Sequence, residues 1–421
     1  MTSNLPKIAV IHGEGSASPL TIKAATLGLC QPVFLYAADC PQKDKAQLEL
    51  LKNHAGVHNL ASLSDHEAVA LLRQEQVAGI VTFSEYELPT VTRYAAELGL
   101  TAHSGETLLY LTDKYAQRER LGDCGVHTVR HAIVDRSHPE RTATSVGFPS
   151  VLKPRVGAGS RWTVKVNTLD ELRQALSASP ADGEYVLEEY LAGDPAMQGQ
   201  FYGDYVSVES VHRHGVSQQV CITAKLPLTA HFAETGMFVP HPFSPELAER
   251  ISALESQAIQ AMGIADGVTH TEIKLTADGP KIIEVNGRLG GYVPEIVKRA
   301  MGVDLVRVAL QAALGQEVKF AARRNDSVVY QVFVPAPVSE PAWLAGMNGT
   351  EEAVGLDGVL HIEMTKDKGQ LIDYRLGTQS NLGIVYGEAP DWESFAGRIQ
   401  EIRATLVPKL TVPGGNEVYA R

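Results

Sequence analysis

The segment that most constrains this chain is residues 269–291, THTEIKLTADGPKIIEVNGRLGG. Two apolar runs flank the turn sequence ADGP, and this pattern predicts a β-hairpin. Side chains alternate between the two faces of a strand, so Glu284, Asn286 and Arg288 are expected to point the same way. Glu272 can join them from the partner strand. The hairpin therefore predicts two carboxylates, an amide and a guanidinium on one face.

Oxygen ligands of this kind suit Mg²⁺, which keeps few protein ligands and completes its shell with phosphate and water. Glu272, Glu284 and Asn286 are the predicted metal ligands. The alternative is a solvated ladder of charges, which contributes little to stability. The three glycines that follow Asn286 favour the metal site, because glycine beside charged residues lets a ligand approach the backbone.

Composition narrows the class of protein. The 421 residues are enough for about three domains, and a net charge of −12 argues against a nucleic-acid partner. The cysteines lack CxxC spacing, so we expect free thiols of a reduced cytoplasm rather than disulfides or a zinc site. The N-terminus has no signal-peptide pattern and no apolar run is long enough to span a membrane, so a cytoplasmic protein is expected. The four cysteines are Cys30, Cys40, Cys124 and Cys221.

Strand and helix patterns alternate over roughly the first hundred residues, which predicts a doubly wound α/β domain. The loop Gly13-Glu14-Gly15 follows its first strand. It lacks the third glycine and the acid of a dinucleotide fingerprint, so we interpret it as a plain strand-to-helix connection. The predicted strands are 7–12, 32–37 and 77–83, and the predicted helices are 68–74 and 89–98.

Three further segments carry polar groups at defined places. Lys114 opens a predicted helix with Thr112 or Asp113 as N-cap; alone it would be a surface lysine. Lys153 ends a strand (SVLKP) and precedes the glycine-rich loop RVGAGS, whose backbone amides can close over phosphates. The strand YVLEEYL, residues 185–191, ends in two acids that would otherwise form an exposed acidic turn.

Taken together, TDKYAQRERL, LKP with its glycine-rich loop, HTEIKL and EVNGRLGG resemble the ATP-grasp ligases. The closest resemblance, over roughly residues 112–310, is to L-amino acid ligases of the bacilysin synthetase type. It implies an ATP-grasp fold with an N-terminal doubly wound α/β domain, an antiparallel-sheet lid and a C-terminal sheet domain. The expected divisions are 1–111, 112–192 (linker helix and lid), 193–325 (catalytic lobe) and 326–421 (C-terminal subdomain).

The resemblance also assigns roles to residues. It implies ATP and Mg²⁺ as cofactors, with two ions expected and Mn²⁺ able to substitute. Arg288 would stabilise the oxyanion of the reaction. The implied ATP-binding residues are Lys114, Lys153, Ser160, Glu188, Glu189 and Leu191, and the implied metal ligands are Glu272, Glu284 and Asn286.

The substrate positions depart from the family pattern. Glu234, in FAETG, stands where the family has a Glu near the substrate amino acid. The family commonly has a His three residues later; here Met237 predicts a more apolar wall. Tyr292 replaces a bulkier Trp and predicts a wider pocket around the same substrate as Arg288. Trp162 stands where the family has a small residue, so it either caps the lid from outside or alters its closure.

The resemblance implies an ATP-dependent ligase that forms a C–N bond between an amino acid carboxylate and an amine. The reaction would pass through an acyl phosphate and release ADP and phosphate, in peptide natural-product or antibiotic biosynthesis. The amine would belong to a second amino acid, giving a dipeptide. The alternatives are a carrier-protein or other amine acceptor and, in a different class, a non-catalytic ATP-binding protein. The expected partners are small-molecule amino acids, without nucleic acid or membrane, and the assembly considered is a homodimer.

Overall fold

The computed structural model describes residues 5–127, 129–197, 200–320 and 326–412, with the backbone of 417–419. Its first part is a parallel sheet of strand order β3-β2-β1-β4. Apolar clusters cover both faces, which confirms the doubly wound prediction. The elements are β1 Lys7–His12, α1 Pro19–Ala25, β2 Gln31–Tyr36, α2 Gln42–Leu51, β3 Gly56–Asn59, α3 Asp65–Glu75, β4 Val77–Thr82 and α4 Leu88–Leu98.

Two consecutive helices connect this sheet to the rest of the molecule, α5 Gly105–Thr112 and α6 Lys114–Asp123. Asp113 is the N-cap of α6, since its carboxylate accepts hydrogen bonds from the backbone of Tyr115 and Ala116 at 3.0 and 3.2 Å. The same carboxylate pairs with Arg155 at 2.6 Å. The start of α6 is therefore tied to the glycine-rich loop that begins at Arg155.

The lid is an antiparallel sheet of order β5-β8-β6-β7 with two helices packed against it. This agrees with the predicted antiparallel-sheet lid. Its elements are β5 His131–Ile133, α7 Pro139–Val146, β6 Ser150–Pro154, β7 Val164–Val166, α8 Leu169–Ala178 and β8 Tyr185–Glu189.

An eight-stranded sheet forms the centre of the remaining chain, in the order β13-β12-β9-β10-β11-β14-β18-β16. Its elements up to residue 320 are β9 Tyr205–Arg213, β10 Val216–Lys225, β11 Gly236–Val239, α9 Pro245–Ala261, β12 Gly267–Thr276, β13 Gly279–Asn286, α10 Val293–Met301 and α11 Leu305–Ala313. The later elements are β14 Val328–Val334, β15 Ala342–Asn348, α12 Thr350–Val354, β16 Val359–Met364, β17 Leu371–Ile372, β18 Gly383–Ala389, α13 Trp392–Thr405, β19 Val407–Thr411 and β20 Glu417–Tyr419.

The large sheet runs across the division expected at residue 325, because β14 pairs with β11. The C-terminal segment therefore extends the catalytic sheet and adds a smaller sheet, β17-β15-β19-β20, beside it. Within the described ranges, no helix combines the length and the apolar character needed to cross a membrane.

Helix α6 covers the free edge of the large sheet. Gln117 exchanges two hydrogen bonds with the backbone of Val285, at 2.8 and 3.0 Å. Arg118 donates to the carbonyls of Ile282 and Ile283 at 2.8 and 2.6 Å. Strand β13 is at the sheet edge, so these side chains satisfy backbone groups that no strand pairs. This contact fixes Lys114, at the start of α6, beside the hairpin.

Candidate active site

The predicted hairpin forms, and its register sets the first part of the site. Glu272 lies directly opposite Glu284, and His270 lies opposite Asn286. Strand β13 ends at Asn286, so Arg288 stands just beyond the strand. Its guanidinium nevertheless lies next to these groups, as its hydrogen bond to Asn286 Oδ1 at 3.1 Å shows. The structure thus brings the two carboxylates, the amide and the guanidinium together.

Lysines from two other elements face this hairpin. Lys114 Nζ lies 2.8 Å from a carboxylate oxygen of Glu284 and donates to the carbonyl of Gly157 at 2.5 Å. Burial alone would lower the pKa of Lys114, but the charge and hydrogen bond of Glu284 outweigh it and raise the pKa. Lys114 therefore stays a cation that joins hairpin, helix and glycine-rich loop.

Lys153 and Arg118 share one buried acid. Lys153 Nζ and Arg118 Nη2 lie 2.9 and 3.0 Å from the same oxygen of Glu188. Burial would raise the pKa of Glu188, but the two cations together lower it to about 2. Burial is also the main reason why the pKa of Lys153 is lowered. An anion such as a phosphate would favour the charged form of this lysine.

Glu189 and Leu191 lie at the end of β8 and line the same cavity as Glu188. The side chain of Glu189 turns outward and pairs with Arg130 at 3.1 Å. Its backbone N–H donates to the carbonyl of Arg130 at 2.8 Å. The carboxylate and the backbone N–H of Glu189 are therefore both occupied by Arg130.

Glu85 also lines the cavity, although it was not among the residues expected from the sequence. It lies in a short helical turn, Glu85–Glu87, directly after β4. Its carboxylate forms a buried ion pair with Arg288 at 2.9 Å. Burial is the largest influence on the Glu85 pKa and raises it. Its position just after the carboxyl end of β4 could have indicated this residue, because ligands of doubly wound sheets bind beyond the carboxyl ends of the strands.

A buried histidine lies between Glu272 and a second acid, Glu209. His270 Nδ1 lies 2.8 Å from Glu209, and its Nε2 lies 3.4 Å from Glu272. Burial would lower the pKa of His270, but Glu209 raises it to about 9. Likewise burial would raise the pKa of Glu272, but His270, Lys225 and Arg288 lower it to about 2. Glu272 is therefore held as a carboxylate.

Of the expected substrate residues other than Arg288, Glu234 and Tyr292 line the cavity and Met237 does not. Glu234 accepts a hydrogen bond from the buried Lys225 at 2.8 Å, and Tyr292 lies on the cavity wall with its ring 5.1 Å from Phe333. Met237 does not form the expected apolar wall. It is fully buried in the core on β11, within the cluster that includes Phe333. Strand pairing puts Met237 opposite Lys225, which lines the cavity, so both side chains are on the same face of the sheet. Apolar neighbours cover Met237 completely, and it therefore does not reach the cavity wall.

The glycine-rich loop is held closed by both ends of the chain. The Trp162 N–H donates to the carbonyl of Arg375 at 2.7 Å, and the Arg375 guanidinium lies 4.7 Å from the Trp162 ring. Arg161 Nη2 donates to both carboxylate oxygens of Glu14, at 2.6 and 2.8 Å. Trp162 thus packs between the apolar core of the lid and Arg375, and it is not part of the cavity wall.

The loop after β1 is more than the plain connection that we expected. Glu14, Gly15 and Ser16 line the cavity. A Cβ on Gly15 would lie 2.1 Å from the carbonyl of Phe83, so only glycine fits where this loop crosses the end of β4. The close packing brings Glu14 within reach of the lid.

These groups surround one cavity of about 240 Å³ between the N-terminal sheet, the lid and the large sheet. Met237 is the one expected site residue that is absent from its wall. The expected residues that line it are Lys114, Lys153, Ser160, Glu188, Glu189, Leu191, Glu234, Glu272, Glu284, Asn286, Arg288 and Tyr292.

Known proteins resemble this chain in sequence. Residues 146–295 match the ATP-grasp domain. The chain is 25% identical over 250 residues to the alanine–anticapsin ligase of Bacillus subtilis (strain 168), covering 55% of this chain and 52% of that protein. It is 24% identical over 314 residues to an L-arginine-specific L-amino acid ligase of Bacillus subtilis, covering 73% and 74%. The matched region spans between 52% and 66% of the length of the first curated relatives.

Solved structures resemble it over nearly the whole chain. The crystal structure of an L-amino acid ligase from Bacillus licheniformis has a TM-score of 0.75 at 22% identity, covering 95% of this chain and 98% of that one. The biotin carboxylase domain of a Hydrogenobacter thermophilus 2-oxoglutarate carboxylase, a complex with MgADP, has a TM-score of 0.67 at 18% identity, covering 98% and 91%. The fold is therefore the ATP-grasp fold that the sequence predicted.

Proposed function

We propose that this chain, which contains an ATP-grasp domain and is similar in sequence to amino acid ligases, is an ATP-dependent ligase that joins an amino acid carboxylate to an amine. The observation that carries the proposal is the hairpin. Its opposed carboxylates Glu272 and Glu284 share one cavity with Lys114 and Lys153. Paired acids beside lysines and a glycine-rich loop suit a reaction in which a phosphoryl group is positioned and its charge neutralised.

The residues present fit Mg²⁺. Glu272 and Glu284 lie opposite each other in the strand register, with Asn286 adjacent, and all three offer the oxygen atoms that this ion prefers. Two adjacent carboxylates repel unless a cation lies between them. When bound, the ion would neutralise charge on the phosphates, and the finer assignment of two ions, with Mn²⁺ as a substitute, belongs to this proposal.

The charges of the cavity support entry of a nucleotide together with its metal. The cations of the wall already have carboxylate partners, so the site carries no large positive excess for a bare triphosphate. The pairs are Lys114 with Glu284, Lys153 and Arg118 with Glu188, Arg288 with Glu85, and Lys225 with Glu234. On phosphate binding, Lys114 and Lys153 would turn from these acids toward the phosphates beneath Ser160. The purine would lie beside Glu188, against the backbone of Glu189 and Leu191.

Arg288 is placed to stabilise the reacting carbonyl group. Phosphoryl transfer to the carboxylate of the first substrate gives an acyl phosphate, and attack by the amine then builds an oxyanion. Arg288 is aligned by Glu85 and Asn286, so its planar donors are fixed before the substrate arrives. One well-placed donor of this kind contributes roughly 3–4 kcal/mol to the transition state. The closed lid would keep water from the acyl phosphate.

Glu234 and Tyr292 are the proposed contacts of the first amino acid. Glu234 is a partly exposed carboxylate whose partner Lys225 is buried, so it can still receive an ammonium group. Tyr292 has a backbone φ of 63°, an unusual conformation for a tyrosine, which presents it at the cavity wall. Met237 is left out of this proposal because it lies in the core.

The experiment is product analysis with ATP, Mg²⁺ and a matrix of free amino acid pairs. We expect a dipeptide by mass spectrometry, with equal amounts of ADP and phosphate. AMP and pyrophosphate as the main products would contradict the acyl phosphate route. Phosphate release without a dipeptide, but with amide formed when amines or carrier proteins are added, would favour the alternative acceptors. Absence of ATP turnover with every amine would favour a non-catalytic protein.

A further inference from the structure

Three different metal-ligating side chains meet at the carboxyl end of the N-terminal sheet. They are His12, Cys40 and Asp44, and their ligand atoms all lie within 4.8 Å of one another. His12 ends β1, Cys40 lies between β2 and α2, and Asp44 is in the first turn of α2. His12 Nε2 and Asp44 Oδ2 are 2.9 Å apart. No spacing in the sequence connects His12 with the other two.

The site is enclosed but not sealed. The side chains of His12 and Asp44 are 2% and 16% exposed, and Cys40 is 3% exposed. An ion can therefore enter from the side of α2 while the nitrogen and sulfur donors remain shielded from water. Shielding of this kind strengthens the attraction between a cation and its ligands.

The donor set and the distances suit zinc. Zn²⁺ binds imidazole nitrogen, thiolate sulfur and carboxylate oxygen, and its bonds of roughly 2.0–2.3 Å place the ligand atoms of a tetrahedral site about 3.5 Å apart. The separations in this group, from 2.9 Å to at most 4.8 Å, bracket that value. Side-chain rotation can therefore close the group around an ion without a change of the strand or the helix.

The surroundings are acidic. Burial is the main reason why the pKa of the Cys40 thiol is raised to about 11, and the neighbouring Asp44 and Asp39 add to it, while Lys45 opposes them. Glu87 is a further buried carboxylate near Asp39 and His12, and burial raises its pKa too. Three carboxylates thus lie around one thiol. Negative charge around the three ligands favours the binding of a divalent cation.

We propose that His12, Cys40 and Asp44 form a site for a divalent transition-metal ion of the zinc class, separate from the oxygen-lined hairpin. Three protein ligands leave a fourth position for water or another ligand. His12 immediately precedes the loop whose Glu14 and Gly15 line the cavity. A bound ion would therefore tie this loop to α2 and hold Glu14 toward Arg161 of the lid. The sequence had argued against a zinc site because Cys40 lies in no CxxC motif.

Cobalt binding tests this assignment without any enzymatic activity. Full-length protein freed of metal by a chelator is titrated with Co²⁺, and the near-ultraviolet absorption of cobalt–thiolate charge transfer is recorded. We expect this absorption to saturate at one equivalent and to disappear when Zn²⁺ is added. Ions in the hairpin have oxygen ligands and cannot produce it. Cys40→Ser should abolish the absorption. Cys30→Ser is the matched control, since Cys30 is buried in the same domain with its pKa also raised to about 11, and it should keep the absorption.

Absence of the absorption in the wild-type protein would overturn the proposal, as would an undiminished absorption in Cys40→Ser. If Cys40→Ser does not fold, Asp44→Asn decides the question, because this near-isosteric change lies at a partly exposed position of α2. We expect it to weaken Co²⁺ binding at least tenfold; unchanged affinity would contradict the role of Asp44. Binding is independent of ligase activity, so neither result depends on the proposed function.

Discussion

Glu255 shows what a single buried carboxyl group does to the stability of this protein. It lies on α9 with 1% of its surface exposed, and one of its oxygens has no hydrogen-bond partner within the described residues. Burial raises its pKa from 4.5 to about 7, and Glu209 adds to the rise, while the neighbouring Ser210 and Ser256 hydroxyls oppose it. The folded protein therefore holds a proton here that the unfolded chain releases at lower pH.

This residue predicts a pH dependence. A raised pKa stabilises the folded state fully below about pH 4.5, and the contribution is lost as the pH rises through about 7. We expect Glu255→Gln to remove this loss of stability at high pH. At pH 8 the free energy of unfolding should rise by roughly 1–3 kcal/mol, because one pKa unit corresponds to about 1.4 kcal/mol. Urea titrations at pH 5 and pH 8 measure it. Glu249→Gln, at an exposed position of the same helix, is the control. It should leave the change in unfolding free energy between pH 5 and pH 8 as it is in the wild-type protein. If the unfolding free energy of Glu255→Gln changes between pH 5 and pH 8 as much as that of the wild-type protein, the prediction is contradicted.

At the scale of elements, the register of the β12–β13 hairpin places Glu272, Glu284 and Asn286 on one face, and Arg288 joins them from just beyond β13. The bulge after Glu272 lies beside the opposed pair Glu272 and Glu284. Such irregularities redirect side chains near binding sites. Helix α6 supports the arrangement from the edge through Gln117 and Arg118. The hairpin is therefore held from both sides, and its carboxylates are fixed before a ligand binds.

We expect Glu284→Gln to lower turnover at least a hundredfold while the fold is retained. The change keeps shape and volume but removes a charge from the proposed metal site and the partner of Lys114. Initial rates at increasing Mg²⁺, with circular dichroism as a fold check, measure it. Asp278→Asn, an equivalent loss of charge at the exposed turn of the same hairpin, should have the wild-type rate. If Glu284→Gln has the rate and the Mg²⁺ dependence of the wild-type protein, Glu284 is only one of a row of solvated charges and not a metal ligand.

At the scale of the whole molecule, the cavity exists because distant parts of the chain close over it. The lid reaches the N-terminal sheet through Arg161 and Glu14, and the C-terminal segment through Trp162 and Arg375. Gly377 permits the second contact, since a Cβ there would lie 2.1 Å from the carbonyl of Gly159. Closure of this kind separates productive amide formation from hydrolysis of a reactive intermediate.

The ion pair of Arg161 with Glu14 predicts that a variant without it couples phosphate release less tightly to amide formation. We expect Arg161→Met to raise the ratio of phosphate released to amide formed by roughly threefold to tenfold, since a partly exposed pair contributes about 1 kcal/mol or a little more. Product and phosphate assays on the same sample give the ratio. The exchanged pair Glu14→Arg with Arg161→Glu should restore part of the coupling. Arg173→Met, which removes an exposed lid arginine on α8, serves as control. An unchanged ratio in Arg161→Met would mean that this pair does not govern closure.

The sequence by itself determined the elements whose information is local. The alternation of EVNGR and the turn ADGP defined the hairpin, Asp113 capped α6, and alternating strands and helices defined the doubly wound sheet. These features depend on side-chain periods and caps within a few residues, so they can be seen without the rest of the fold.

Only the tertiary structure decided the pairings between distant residues. Glu85 meets Arg288, Glu14 meets Arg161, and the large sheet continues through β14 past the expected division. Met237 had the right position in a family pattern, yet apolar residues packed over it bury it in the core. His12 joined Cys40 and Asp44 although no motif links them. In each case the deciding contact joins segments that packing brings together, and a local pattern carries no information about which distant side chain will be its partner.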